Sequence, residues 1–186
     1  NAPAGLTDTA EQGKSESRSL IESWHGKGRN RYVITPRFAI SCSTEQLIAA
    51  GRLHDQYPGT YIQTHLSENK DEIDSTLSLC PDCQDYLEVY ERARLVTDRS
   101  IFGHCIHLSD SECRRLVEAG SVVAHCPTSN LFLGSGLFDM QQANRVGMQT
   151  VLATDIGAGT SFSMLRTMGE AYKVQQLGGY PMSVFE

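Results

Sequence analysis

Four side chains in this sequence have the chemistry that metal-assisted hydrolysis needs. They are His65 and Glu68 in Thr64-His-Leu-Ser-Glu68, His104 in Phe102-Gly-His104, and Asp155 in Ala153-Thr-Asp155. Imidazole and carboxylate are suitable zinc donors. A catalytic zinc usually takes three protein ligands and keeps one position for water, whose pKa it lowers to about 7. A nearby carboxylate can then carry protons between that water and a leaving group. Glu68, three residues beyond His65, suits this task if the chain turns into a helix there. Each residue alone also has a plain explanation. A histidine can be a satisfied rim residue, and Glu68 can be a first-turn glutamate favoured by the helix dipole. Their joint position therefore has to decide.

That position follows from the elements around them. Helix is expected over 15–28, with Leu20, Ile21 and Trp24 on one side, and strand over Arg31–Pro36. A capping box at Ser43–Gln46 opens a helix, and Thr60–His65 is the next strand. Residues 69–95 read as helix broken near Pro81. Strand Ser100–His104 leads to a second capping box at Ser109–Glu112. Strand Ser121–His125 stops at Pro127, a short helix spans 138–146, Met148–Asp155 is strand, and the last helix runs from about Ser161 to Leu177. Five strands alternating with helices predict an α/β fold with a parallel sheet. The strand ends fall at Arg37, His65, His104, His125 and Asp155. Parallel α/β folds build their sites at such ends, and (β/α)8 barrels above all. His65, His104 and Asp155 should thus meet on one rim. Arg37 could make paired hydrogen bonds to a planar polar ligand and Phe38 could stack on it; a rim salt bridge and a core Phe would explain the pair as well. His125 could do no more than line the wall. His25, His54 and His107 lie off the strand ends and receive no role.

Bulk properties narrow the field. The 186 residues suffice for one core, and a single domain over 1–186 is expected, with 1–19 a poorly defined leading segment. Net charge is −6, which argues against nucleic acid. No apolar run approaches the length of a membrane span, and the first residues lack the apolar region of a signal peptide. With no initiator Met, the chain reads as processed or as a fragment. Six cysteines in such a chain suggest reduced thiols and a cytoplasmic location. Cys80-Pro-Asp-Cys83 has no second pair to complete a zinc site and is read as two ordinary cysteines. Gly157-Ala-Gly159 follows the last strand and has Phe162 where the third glycine of a dinucleotide fingerprint would stand.

The stretches ITPRFAISCS (34–43), THLSENKDEI (64–73), FGHCIHLS (102–109), AHCPTSNLFLGSGLF (124–138) and LATDIGAG (152–159) together resemble the guanine deaminases of the amidohydrolase superfamily. The resemblance runs from about residue 20 to the end. It implies a (β/α)8 barrel of which about strands 4–8 are present, and one Zn2+. It also implies a hydrolase of C–N bonds in cyclic amidines, converting guanine to xanthine and ammonia in purine catabolism. By this resemblance His65 and Asp155 would ligate zinc. Asp155 would take a proton from the water, and Glu68 would protonate the ring and help expel ammonia. His104 would orient the water, and Arg37 and Phe38 would hold the purine, with His65, Glu68 and Asp155 also facing it. The expected partner is a small purine, with no nucleic acid or membrane; a homodimer is left open.

The sequence departs from the family pattern in lacking the His-x-His of the first strand. A full barrel needs about 250 residues, so the segment alone is expected to be inactive and to hold zinc weakly. Two other readings stand beside this one. The first is another amidohydrolase, such as an aminopurine or aminopyrimidine deaminase or a triazine hydrolase. The second is a non-catalytic partial barrel that serves as an interaction module.

Overall fold

A computed structural model describes residues 3–179. Five strands form one sheet: β1 (Val33–Ile34), β2 (Tyr61–Leu66), β3 (Ser100–His104), β4 (Val122–His125) and β5 (Gln149–Leu152). They lie side by side in chain order, and every pairing is parallel. Each crossover therefore steps one place in the same direction. A doubly wound sheet reverses its order at a switch point; this sheet never does, and its progression is that of a (β/α)8 barrel. The expected partial barrel is what the chain forms.

Eight α-helices are described: α1 (Ala10–Trp24), α2 (Thr44–Gln56), α3 (Lys70–Leu79), α4 (Tyr86–Arg92), α5 (Asp110–Glu118), α6 (Pro127–Leu133), α7 (Met140–Val146) and α8 (Met164–Leu177). None is long and apolar enough to cross a membrane. Seven start at a side-chain cap: Thr9, Ser43, Asn69, Asp85, Ser109, Asp139 and Ser163 each accept a backbone N–H three residues on, a contact worth about 1 kcal/mol.

Several boundaries differ from expectation. The leading segment is ordered from the 3-10 turn Ala4–Leu6 onward, and α1 starts five residues early because Thr9 caps it. It ends at Trp24, since His25 turns extended and Gly26 takes a left-handed φ of 77°. Residues 1–2 of the leading segment lie outside the described residues. The box at Ser43 is half made: the Gln46 side chain swings out to donate from Nε2 to the Asp8 carboxylate and does not turn back to accept from the Ser43 N–H. A full box forms at Asn69 and Glu72, where only the start of a helix was expected. Pro127 both ends strand β4 and opens α6 as its first residue. Gly134 closes α6 in the left-handed conformation, a Pro-first, Gly-last pattern that the sequence does display.

The strand pleat divides the side chains. Ile62, Leu66, Phe102 and Val123 pack on Leu47, Leu87, Tyr90 and Leu116 from the helices, and each large side chain so buried contributes about 1.5–3 kcal/mol. On the other face Gln63, Ile101, Gly103, Ala124 and Val151 line an open groove. No helix covers it among the described residues. Gly51 fixes one helix contact, because a Cβ there would lie 1.9 Å from the Ala93 carbonyl oxygen.

Candidate active site

The groove ends at the carboxyl edge of the sheet, where one donor atom each from His65, His104 and Asp155 lie within 4.8 Å of one another. The convergence expected from the sequence is therefore real. The backbone that achieves it is unusual. His65 is the penultimate residue of β2 and points into the groove by the pleat. Asp155 lies three residues beyond β5, not at its end, and Arg37 likewise lies three beyond β1. Ser67, His104, Cys105 and Asp155 have φ of 50°, 70°, 53° and 46°. Each such residue costs about 1–2 kcal/mol in the left-handed region. Such strain collects where surrounding structure demands a particular side-chain direction. After Asp155 the chain doubles back, Gly159 N–H donating to the Asp155 carbonyl. A Cβ on Gly159 would sit 1.8 Å from the Thr154 carbonyl oxygen.

Hydrogen bonds fix both imidazoles. His65 Nδ1 lies 2.7 Å from the Arg37 carbonyl oxygen, and His104 Nδ1 lies 2.8 Å from Asn130 Oδ1. Both partner oxygens accept, so each Nδ1 carries a proton and each Nε2 is left for another partner. Such outer bonds orient metal-ligating histidines and raise their basicity. The two rings are stacked, with centroids 5.1 Å apart. His104 Nε2 is 3.6 Å from Glu68 Oε2 and 4.0 Å from Asp155 Oδ2. Two imidazole lone pairs and a carboxylate around one point fit a zinc ion.

Glu68 lies just before the helix cap Asn69, not in the first turn of α3, so the helix dipole does not explain its position. Its side chain turns toward the donors, with Oε2 beside His104. Ser135 Oγ donates to its Oε1 at 3.1 Å. The loop that carries Ser135 is held in turn by His107, whose Nε2 donates to the Ser135 carbonyl at 3.0 Å. Glu68, His107, Leu133 and Ser135 line a cavity of about 610 Å³. Arg37 is exposed, and its guanidinium lies 5.3 Å over the Phe38 ring; among the described residues it makes no ion pair, so no rim salt bridge accounts for it. Phe38 is half-buried, 5.6 Å from the His65 ring.

His125 is fully buried, stacks on Phe138 at 4.7 Å, and finds no partner for either ring nitrogen. Burial, helped by the neighbouring His104, pushes its pKa down to about 4. It stands as an apolar ring in the wall. Cys80 and Cys83 are both free and close a turn, Cys83 N–H donating to the Cys80 carbonyl.

The geometry thus joins His65, His104, Asp155 and Glu68, with Arg37 and Phe38 alongside. The sequence alone does not single out Asn130, Ser135 or His107. Asn130 lies within α6 and Ser135 just beyond its Gly134 cap, and the Pro and Gly signals of that helix are the clue that leads to them.

Residues 3–185 match the family model described as amidohydrolase family. The guanine deaminase of Escherichia coli (strain K12) is 52% identical over all 186 residues, which make up 42% of that protein. Its structure superposes with a TM-score of 0.98, covering 100% of this chain and 43% of that one. A guanine deaminase of C. acetobutylicum with guanine bound in its active site is 32% identical, with a TM-score of 0.90 over 96% of this chain and 43% of its own. An adenosine deaminase of Xanthomonas campestris with bound zinc, 22% identical, shares the fold at a TM-score of 0.87, over 96% of this chain and 40% of its own. The chain thus spans about two fifths of the length of the curated relatives it matches.

Proposed function

The chain belongs to the amidohydrolase family, and from that premise we propose that it is the C-terminal part of the catalytic barrel of a zinc-dependent guanine deaminase. The reaction is hydrolysis: water adds to the carbon bearing the exocyclic amine, the C–N bond breaks, and xanthine and ammonia leave. The observation that carries this reading is the convergence of His65, His104 and Asp155 at one point, with both Nδ1 positions committed to oxygen partners and His104 Nε2 facing Glu68 and Asp155. His65 and Asp155 would hold the metal, which when bound would supply hydroxide at neutral pH.

The remaining chemistry belongs to the protein. Asp155 takes a proton from the attacking water. Glu68 gives a proton to a ring nitrogen, takes up the proton of the hydroxyl formed on the attacked carbon and passes it to the departing amine, its carboxylate held for this by Ser135; the proton on Asp155 then returns to Glu68 and closes the cycle. His104, fixed by Asn130, orients the water through Nε2. The Arg37 guanidinium and the Phe38 ring hold the planar purine edge-on and face-on. Six free cysteines fit a reducing, cytoplasmic setting.

The test is ammonia release from guanine by the longer protein, with and without a zinc chelator, against adenine and an aminotriazine. Guanine should be turned over far faster, and the chelator should abolish it. Equal turnover of the three would refute the substrate assignment. Arg37→Ala should cost about 1.5–3 kcal/mol in kcat/KM, the worth of a charge-assisted hydrogen bond. The 186-residue chain alone should release no ammonia and bind zinc weakly; turnover by it would overturn that part.

A further inference from the structure

Behind the site lies a buried polar cluster that the reaction scheme does not use. Tyr86 and Tyr90 of α4 are 1% and 0% exposed, and Glu72 of α3 is 6% exposed. The Tyr86 hydroxyl donates to Glu72 Oε1 at 2.7 Å. The Tyr90 hydroxyl lies 3.3 Å from that of Tyr86, and the two rings stack at 5.4 Å. Burial holds both phenols well above the usual tyrosine pKa, so they stay protonated.

The ends of this cluster are the informative part. Tyr90 Oη accepts from the Ala39 N–H at 3.0 Å and donates to the His65 carbonyl at 2.8 Å. Thr64 Oγ1 sits 3.1 Å from it and 3.2 Å from the Arg37 carbonyl. Glu72 Oε2 accepts from the Glu68 N–H at 2.9 Å. Ala39 follows Phe38 directly. One cluster therefore grips the backbone beside the purine-holding pair, the backbone of a metal donor, and the backbone of the proton-carrying glutamate. Core packing alone would be served by phenylalanine at 86 and 90 without desolvating two hydroxyls, and Glu72, which also completes the α3 capping box with Asn69, commits its second oxygen to Tyr86.

We infer that Tyr90, Tyr86 and Glu72 are positioning residues that lock the Arg37–Phe38 arm, His65 and Glu68 into one register. The inference rests on the proposed deaminase reading for its kinetic arm only. Tyr90 sets the arm and the donor; Glu72 sets the glutamate; Tyr86, whose proton goes to Glu72, joins them by its ring stack on Tyr90. Displacements of the order of 1 Å at such groups can cost roughly 100-fold in rate.

The experiment uses the longer protein with Tyr90→Phe, Tyr86→Phe and Glu72→Gln, which keep volume, and Leu116→Ala as a variant of the same apolar core that removes no hydrogen bond of the cluster. Steady-state ammonia release gives kcat and KM for guanine, chelator competition gives zinc affinity, and thermal unfolding gives stability. Tyr90→Phe should raise KM, lower kcat and weaken zinc roughly tenfold. Glu72→Gln should lower kcat by a similar factor with KM and zinc affinity unchanged, and Tyr86→Phe should lower kcat less. Leu116→Ala should lose stability alone. Unchanged kinetics and zinc affinity in Tyr90→Phe, or the same losses in Leu116→Ala, would overturn the inference. A wild-type protein inert toward guanine sinks the substrate reading instead, and the zinc arm then decides the role of Tyr90 by itself.

Discussion

Replacing His125 by phenylalanine should change how stability depends on pH. His125 is fully buried with both ring nitrogens unpartnered, and its pKa falls from 6.5 to about 4. Between those values the unfolded chain binds a proton that the folded chain refuses. The unfolded state then holds more protons, so unfolding free energy drops as pH falls through this window and is fully retained above pH 6.5. At 1.36 kcal/mol per decade, the fall from 6.5 to about 4 is worth about 3 kcal/mol. Phenylalanine keeps the stack on Phe138 and cannot take the proton. Urea unfolding of wild type and His125→Phe at pH 7.5 and pH 4.5 measures the difference of differences, which cancels the carboxylates common to both. Over that range, which stops short of the folded pKa, wild type should lose about 2–3 kcal/mol more than the variant. Equal losses would mean that the folded chain protonates His125 readily, and the argument from its dry, unpartnered surroundings would be wrong.

Three further outcomes are expected. Asn130→Leu leaves His104 Nδ1 without its acceptor and should lower kcat in the longer protein by roughly 10–100-fold; unchanged kcat would show that Asn130 does not set the His104 ring. Gly159→Ala puts a Cβ into the Thr154 carbonyl and must move Asp155, so kcat/KM should fall roughly 100-fold, read by the same ammonia assay. Brief alkylation at pH 8 followed by mass spectrometry should label the half-exposed Cys42 and Cys80 and spare the others. Burial pushes Cys83 and Cys126 up to about 12 and Cys113 up to about 11; rapid labelling of Cys126 would contradict its dry setting.

The alternation of strand and helix and the residues at strand ends were legible because hydrophobic runs, caps and prolines are local signals. His65, His104 and Asp155 could be brought to one rim on that basis alone. The exact rim could not be read. Asp155 and Arg37 each sit three residues past their strands, and the left-handed residues at the ends of β2, β3 and β5 include serine, histidine, cysteine and aspartate, types that do not announce such turns as glycine does. The groups that hold the site were hidden for another reason. Tyr90, Asn130 and Ser135 act across 25 to 67 positions of chain, and their types suit an ordinary core or loop equally well. Pro127 stops β4 and starts α6 at once, and a residue that serves as both strand stop and favoured helix start hides the helix behind the stop.

The consecutive order of the sheet has a thermodynamic consequence. Each strand is bonded only to the one before and the one after it, as the units of a solenoid are. In a closed barrel the first and last strands share a seam and must open together. In this chain the described sheet has two free margins, β1 and β5, and β3 at its centre. Hydrogen exchange should therefore fray from the margins inward, with β3 protected longest. His65 and His104 belong to the slow interior and Asp155 to a fast margin, so the three donors part unequally: the imidazole pair outlives the carboxylate.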